Sequence, residues 1–186
     1  MKITYDVTPE ILPKLLSYDP VSGNMHWLSR EPEVFGGDKG VCARWNARFA
    51  GKKAFLTKSI NGYLVAMVLG KTLTAHRVIW ALHYGKWPAL YLDHIDGDRA
   101  NNAISNLREA TPSQNGCNRR SAKNSKSSYL GVSWVEWRKR WTATIRISGK
   151  RKTIGYFKTE IDAAMAYDAW AIEHHGEFAR PNFAVA

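Results

Sequence analysis

Tyr91-Leu92-Asp93-His94-Ile95-Asp96-Gly97-Asp98, followed a few residues on by Asn106-Leu107-Arg108-Glu109-Ala110-Thr111-Pro112-Ser113-Gln114-Asn115, is the stretch whose reading decides the fold. The first part is an apolar strand that ends in a polar, turn-forming loop. The second opens as a short returning strand over 106–110. Thr111 then fits a helix N-cap, Pro112 the first helical position and Gln114 the partner of a capping box. Asn115 falls in the first or second turn of that helix. Strand, strand and helix place a histidine, carboxylates and amides within one short span.

Those residue types suit hydrolysis of a phosphodiester, which needs a base to activate water, a cation to stabilise developing charge, and groups that orient both. His94 offers the base, because an ordinary imidazole titrates near ~6.5. Asp93 offers a hard oxygen ligand for Mg²⁺, and an asparagine carbonyl can offer another. Neighbours on a regular strand face opposite sides, so Asp93 and His94 both point inward only if the strand end departs from regular geometry. Taken alone, Asp96-Gly97-Asp98 reads as a turn, and Asn101 and Asn102 read as turn and cap residues. His76 fits a phosphate contact or a packing histidine equally and stays outside the candidate set. His26, His83, His174 and His175 read as structural or exposed.

Working upstream, Met1 to about Leu73 is mixed, with short β-like runs and many turn signals. Ser22-Gly23-Asn24 separates Tyr18 from Met25-His26-Trp27. Asn61-Gly62 precedes an apolar run from Tyr63 to Leu69, and a Gly70-Lys71 turn leads into Thr72-Leu73-Thr74, which is a hairpin reading. Ala75 to Tyr84 carries Val78, Ile79, Ala81 and Leu82 at helical spacing, with Gly85 as the stop.

Downstream, residues 119–128 read as a basic, flexible linker, with Arg119, Arg120, Lys123 and Lys126 among four serines. Beyond it, Tyr129 to Phe183 reads as a separate small module. Trp141, Ala143, Ile145 and Ile147 alternate with Thr142, Thr144, Arg146 and Ser148, the pattern of a half-buried strand. Ser148-Gly149-Lys150 turns into a strand from Arg151 to Phe157. Thr159 caps a helix from Glu160 to His175, with Asp162 at the capping-box offset and Gly176 just past the end. The alternation places Trp141, Ala143 and Ile145 under the helix and Thr142, Thr144 and Arg146 outward.

Composition narrows the class. The chain has 186 residues, 45% of them hydrophobic and 12% aromatic, enough to build real cores. Lys and Arg number 27 against 16 Asp and Glu, a formal charge of +11 that suits a polyanionic partner, nucleic acid above all. Two cysteines far apart, Cys42 and Cys117, argue against a disulfide framework and against structural zinc. No apolar run reaches membrane-spanning length and the N-terminus lacks a signal-peptide pattern, which makes the cytoplasm the default compartment.

Together, His76-Arg77-Val78-Ile79-Trp80, Asp93-His94-Ile95-Asp96-Gly97-Asp98, Asn101-Asn102, Asn106-Leu107-Arg108 and Gln114-Asn115 resemble the HNH endonucleases of phages and group I introns. Several separated motifs fall in order over roughly His76 to Asn118. The resemblance implies a ββα-metal (His-Me finger) core. In it Asp93 ligates the metal, His94 is the general base, Asn106 fixes the His94 backbone or ring, and Asn115 is the second metal ligand. Many members carry His where Asn115 stands. The Asn form is similar to the intron-homing subset and favours Mg²⁺, or a like ion such as Mn²⁺, over zinc.

A second resemblance covers the end of the chain. Tyr129-Leu130-Gly131-Val132, Trp137, Arg140-Trp141, Ile145-Arg146, Ile154-Gly155-Tyr156-Phe157, Ala163-Ala164-Met165-Ala166-Tyr167-Asp168 and Asn182-Phe183 are similar to the APETALA-type ethylene-response-factor (ERF) DNA-binding domain. That likeness implies a three-stranded sheet laid in the major groove. By position, Trp137, Arg146 and Arg151 match its DNA-contacting places. Arg138 joins them as a basic neighbour, and Lys139, Arg140, Lys150 and Lys152 add phosphate attraction without base choice. Ser133, Val135 and Thr153 stand where those domains usually have Arg or Trp, so the target sequence of the plant domains does not carry over.

The expected fold class is therefore α+β: an N-terminal β-rich hairpin region (1–75), an HNH core (76–118), the linker (119–128), and a three-stranded antiparallel sheet with one helix (129–186). The expected function is metal-dependent cutting or nicking of double-stranded DNA by a monomer, in a phage-infected bacterial host. No membrane or protein partner is implied. Two alternatives are a non-catalytic DNA-binding regulator on an inactive HNH scaffold and a binder of structured RNA.

Overall fold

The computed structural model describes residues 6–117 and 126–183, so most of the expected linker lies outside the described residues. Contacts gather the chain into two units, Met1–Glu109 and Ala110–Ala186.

In the first unit a short helix α1 (Leu12–Leu15) leads into β1 (Leu16–Tyr18), which pairs antiparallel with β2 (Met25–Trp27). The turn between them is built by Asp19, whose carboxylate accepts from the Val21 and Ser22 amides at 3.1 and 3.2 Å. Helix α2 (Lys39–Phe49) follows. Then come β3 (Thr57–Lys58), β4 (Leu64–Val68) and β5 (Lys71–Thr74), an antiparallel sheet in that order. Helix α3 (Ala75–Tyr84) ends on left-handed Gly85, as its sequence predicts. Strands β6 (Tyr91–His94) and β7 (Leu107–Ala110) pair with each other.

Two readings of this unit change. The β4–β5 turn centres on Leu69 and Gly70, with φ of 48° and 83°, and Lys71 already belongs to β5. A two-residue hairpin of this hand needs positive φ at both central positions, and Leu69 accepts the strain one residue before the expected Gly-Lys turn. The region expected to be β-rich also contains the 11-residue helix α2. Asp38 caps it by accepting from the Val41 amide at 2.8 Å. Cys42, Trp45 and Phe49, at i, i+3 and i+7, form its inner face. Cys42 is a buried free thiol whose Sγ donates to the Arg30 carbonyl.

One apolar cluster runs from Val7 through Leu12, Met25, Trp27, Phe55, Val68, Val78 and Ile79 to Leu92 and Leu107. The hairpins upstream of residue 75 and the β6–β7 pair therefore share a single core. Arg30 packs its guanidinium 3.8 Å from the centre of the Trp45 ring at the edge of that core.

The second unit opens on helix α4 (Pro112–Cys117), so β6, β7 and α4 follow in ββα order. The expected capping box is present: Gln114 Oε1 accepts from the Thr111 amide at 2.8 Å, and the Gln114 amide donates to Thr111 Oγ1. Strands β8 (Val132–Val135), β9 (Arg140–Ile147) and β10 (Lys150–Phe157) make an antiparallel sheet with β9 central. Helix α5 (Glu160–His175) covers one face, with Thr159 accepting from the Asp162 amide as its cap. Val132, Ala143, Ile145, Ala163, Ala164, Tyr167 and Ala171 form a separate core. The alanines bring α5 close to the sheet, and Asp168 ties down the chain end by accepting from the Asn182 and Phe183 amides. The overall class is α+β, as expected. No helix among the described residues is long and apolar enough to cross a membrane.

Candidate active site

Strand β6 carries Leu92, Asp93 and His94 to the same degree of burial, with Asp93 5% and His94 3% exposed. Adjacent side chains on a strand diverge, and here they meet different partners. The Asp93 carboxylate takes a charge-assisted pair from Arg108 on β7, with Nη2 at 2.8 Å and Nε at 3.0 Å from Oδ2. The His94 ring enters an aromatic and amide environment. Its Nε2 lies 3.1 Å from Oδ1 of Asn102. His76 of α3 stands edge-on with ring centroids 5.2 Å apart, and Tyr63 lies 5.9 Å away.

Asn102 decides the chemistry of that ring. It is 1% exposed, and its Nδ2 donates to the Ala100 carbonyl at 3.1 Å, which identifies Oδ1 as the acceptor facing the histidine. An acceptor there requires an N–H at Nε2, so in the neutral ring the basic lone pair sits on Nδ1. Burial lowers the His94 pKa, while the Asn102 hydrogen bond and the charges of Asp96, Asp93 and Asp98 pull the other way. His76 is pushed down to about 3 by burial, by His94 and by Arg77. Burial thus shifts both imidazoles toward the neutral form.

Asn106 acts on the loop. Its main-chain carbonyl accepts from the Ile95 amide at 2.9 Å, and its Oδ1 accepts from the Asp96 amide at 3.0 Å. Its Nδ2 donates both to Asp96 Oδ1 and to the Asn101 carbonyl. The Gly97 amide closes the turn onto the His94 carbonyl. Asn106 thus holds the backbone just past His94, and the ring contact belongs to Asn102.

Asp93, His94 and Asn106 are gathered within the first unit, while Asn115 lies on α4 in the second. Among the described residues no group of three or more His, Cys, Asp or Glu is placed to hold a metal. The Asp93 carboxylate is a hard oxygen donor of the kind that suits Mg²⁺ or Mn²⁺.

Sequence reasoning missed Asn102, Arg108 and the Tyr63–His76 pair. Asn102 reads as a turn residue because its partner is set by tertiary packing. Arg108 stands within the Asn106-Leu107-Arg108 motif, and the period-2 alternation of β7 is the only clue to its direction.

Comparison with known proteins fits this geometry. The sequence profile of an HNH endonuclease family matches residues 74–117, the span from the start of α3 to the end of α4. An uncharacterized HNH endonuclease of Acanthamoeba polyphaga mimivirus is 41% identical over 132 residues, 70% of this chain and 66% of that protein. Protein 3.8 of Escherichia phage T7 is 34% identical over 110 residues, 56% of this chain and 87% of that protein. The chain belongs to the HNH endonuclease family. That family consists of DNA hydrolases, and both relatives are viral proteins. The buried His94 imidazole and the Arg-paired Asp93 carboxylate both lie within the matched segment.

On the second unit, the five expected DNA-contacting residues are all exposed. Trp137 is 75% exposed, whereas Trp141 packs against the core. Arg138 lies over the Trp137 ring at 4.0 Å and the Tyr156 ring at 4.5 Å. Arg146 and Arg151 are direct cross-strand partners. The outward set is smaller than the alternation suggests, because Thr142 is buried. It sits on the central strand between Ser133 and Tyr156, and its hydroxyl donates to the Gly155 carbonyl.

Proposed function

We propose that this chain is a divalent-metal-dependent endonuclease acting on double-stranded DNA, with His94 as general base. The Asn102 contact carries the reading, because it leaves Nδ1 of a neutral, buried imidazole as the basic atom. In the proposed step a water loses its proton to His94 Nδ1 as its oxygen bonds to phosphorus. The P–O bond to the leaving sugar oxygen breaks, and that oxygen takes a proton from solvent. A Mg²⁺ or Mn²⁺ ion on the Asp93 carboxylate and, by resemblance, the Asn115 amide oxygen would supply charge stabilisation at the phosphate. Arg108 fixes the Asp93 carboxylate, and Asn106 fixes the loop that follows the base.

The ERF-like sheet, residues 129–186, is the proposed positioning module for the core at 76–118. Its support is electrostatic. Like charges directly opposite on a sheet are destabilising, and Arg146 faces Arg151 in register. A phosphate backbone would relieve that pair. Trp137, Arg138 and Arg140 extend the same reading toward the β8–β9 connection. The viral relatives favour a phage or other viral setting, and action as a monomer with a homing role is the part of the proposal that rests on the sequence resemblance alone.

Supercoiled-plasmid nicking with Mg²⁺ tests the reading. Wild type should convert the plasmid, while chelator or His94→Ala should stop it. Equal behaviour of wild type and His94→Ala would sink the catalytic assignment and leave a DNA-binding regulator. Mapping the cut ends would show whether one or both strands are cut, and whether the site marks an insertion point expected of a homing enzyme.

A further inference from the structure

The loop that carries Asn102 is not held by the β6–β7 pair alone. Gly23, in the turn between β1 and β2, has φ of 68°. A Cβ at Gly23 would run into the Asn102 carbonyl and lie 2.5 Å from the Ala103 nitrogen, inside the 3.0 Å that real Cβ atoms essentially never breach. The neighbouring Pro20 carbonyl accepts from the Ile104 amide at 3.0 Å. One wall of the Asn102 segment is therefore the backbone of a turn some eighty residues earlier. That turn is itself stiff. Asp19 accepts from the Val21 and Ser22 amides and from the Ser22 hydroxyl, and its carbonyl accepts from the Gly23 amide at 2.8 Å.

We infer that Gly23 is a positioning residue for the hydrolytic reaction: the Asp19–Asn24 turn braces Asn102, and through its Oδ1 sets the orientation and tautomer of the His94 ring. This inference rests on the proposed role of His94. No other residue fits at Gly23, because both the left-handed backbone and the contact exclude a side chain. A side chain there must push Asn102 outward, and a hydrogen bond of 3.1 Å does not survive a displacement approaching 1 Å. Displacements of that size reduce turnover by roughly 10²-fold when they reach a reacting group.

The test uses the full chain and two readouts, single-turnover nicking and the ¹⁵N spectrum of the imidazoles at one fixed pH. Gly23→Ala should lower the cleavage rate by about 10- to 100-fold with DNA affinity unchanged. It should also move the His94 Nε2 and Nδ1 resonances toward the pattern of a ring that has lost its fixed tautomer. Gly51→Ala is the control, since Gly51 has φ of 74° with nothing within 4 Å of its absent Cβ, so it carries the strain without the contact. It should keep the wild-type rate and spectrum. Gly23→Ala combined with Asn102→Ala should be no slower than Asn102→Ala alone, because both act through one contact.

If Gly23→Ala does not fold, Asp19→Ala loosens the same turn more gently and should shift the His94 resonances in the same direction. Unchanged His94 resonances in whichever of the two variants folds would overturn the inference, as would additive rate losses in the double variant. Failure of the wild type to nick DNA would reject the proposed function instead, while the imidazole spectrum would still report whether the brace exists.

Discussion

The first unit buries the polar groups proposed for catalysis, and the second displays those proposed for DNA contact. Around β6, Asp93, His94, Asn102 and Asn106 are all buried, and each is hydrogen-bonded to a neighbour within the same unit. On the C-terminal sheet, Trp137, Arg138, Arg140, Arg146 and Arg151 stand in solvent, and no acidic side chain forms an ion pair with them among the described residues. Buried networks fix geometry, so removing one member costs the function of the whole. Exposed cations act nearly independently and are screened by salt, so losses there are graded. The two regions should respond to mutation in different ways.

The largest expected effect is in the buried set. His94→Ala should lower metal-dependent cleavage by about 10²- to 10⁴-fold with DNA affinity nearly unchanged, read by single-turnover nicking beside a binding titration. A parallel loss of binding would mean that the two regions are not functionally separate. Arg108→Met should come next, with a fall of about 10- to 100-fold and a higher metal requirement, because the Asp93 carboxylate loses its orienting partner. A metal titration of the cleavage rate checks it. Asn115→Ala should also raise the metal requirement if this residue is the second ligand, and an unchanged titration would remove it from the site.

In the exposed set, Arg146→Ala with Arg151→Ala should leave the cleavage chemistry intact. The pair should flatten the dependence of log affinity on log salt by roughly 0.9 for each phosphate no longer neutralised. Weaker affinity without any change of slope would show that neither arginine meets a phosphate.

The smallest effect is on stability. His76 is held near 3 in the folded chain against an ordinary value of 6.5, and His94 is lowered too. The folded state therefore prefers these rings neutral. The contribution of His76 is fully present above about 6.5 and is lost as pH falls toward 3, and that of His94 weakens in the same direction. Urea midpoints taken across that window should fall with acid, and His76→Phe should fall less steeply. A variant with an unchanged slope would break the link between burial and titration.

Local signals make much of this legible. Capping residues fix the starts of α4 and α5, Gly85 fixes the end of α3, and alternation fixes β9. Each depends on residues a few positions apart. Helix α2 escapes because its inner face holds only Cys42, Trp45 and Phe49, with polar Asn46 beside them, although Asp38 is a readable cap. Thr142 reads as outward because alternation cannot see that Ser133 and Tyr156 flank it. Asp93 and His94 are readable as a motif, whereas Asn102, Gly23 and Pro20 acquire meaning only through contacts that span the unit.

The core shared by the N-terminal hairpins and the β6–β7 pair has a consequence for how such a gene can be shuffled. A recombination breakpoint near residue 75 would cut through one apolar cluster, separating Val7, Met25 and Val68 from Ile79, Leu92 and Leu107. The α3-to-α4 motif is thus a poor unit of exchange by itself, however recognisable its letters are. Residues 129–183 enclose an apolar cluster of their own, and among the described residues neither cluster spans a breakpoint just before Tyr129. On the positioning role proposed for residues 129–186, variation in target would enter by replacement of that segment, while the shared core of the first unit is inherited whole.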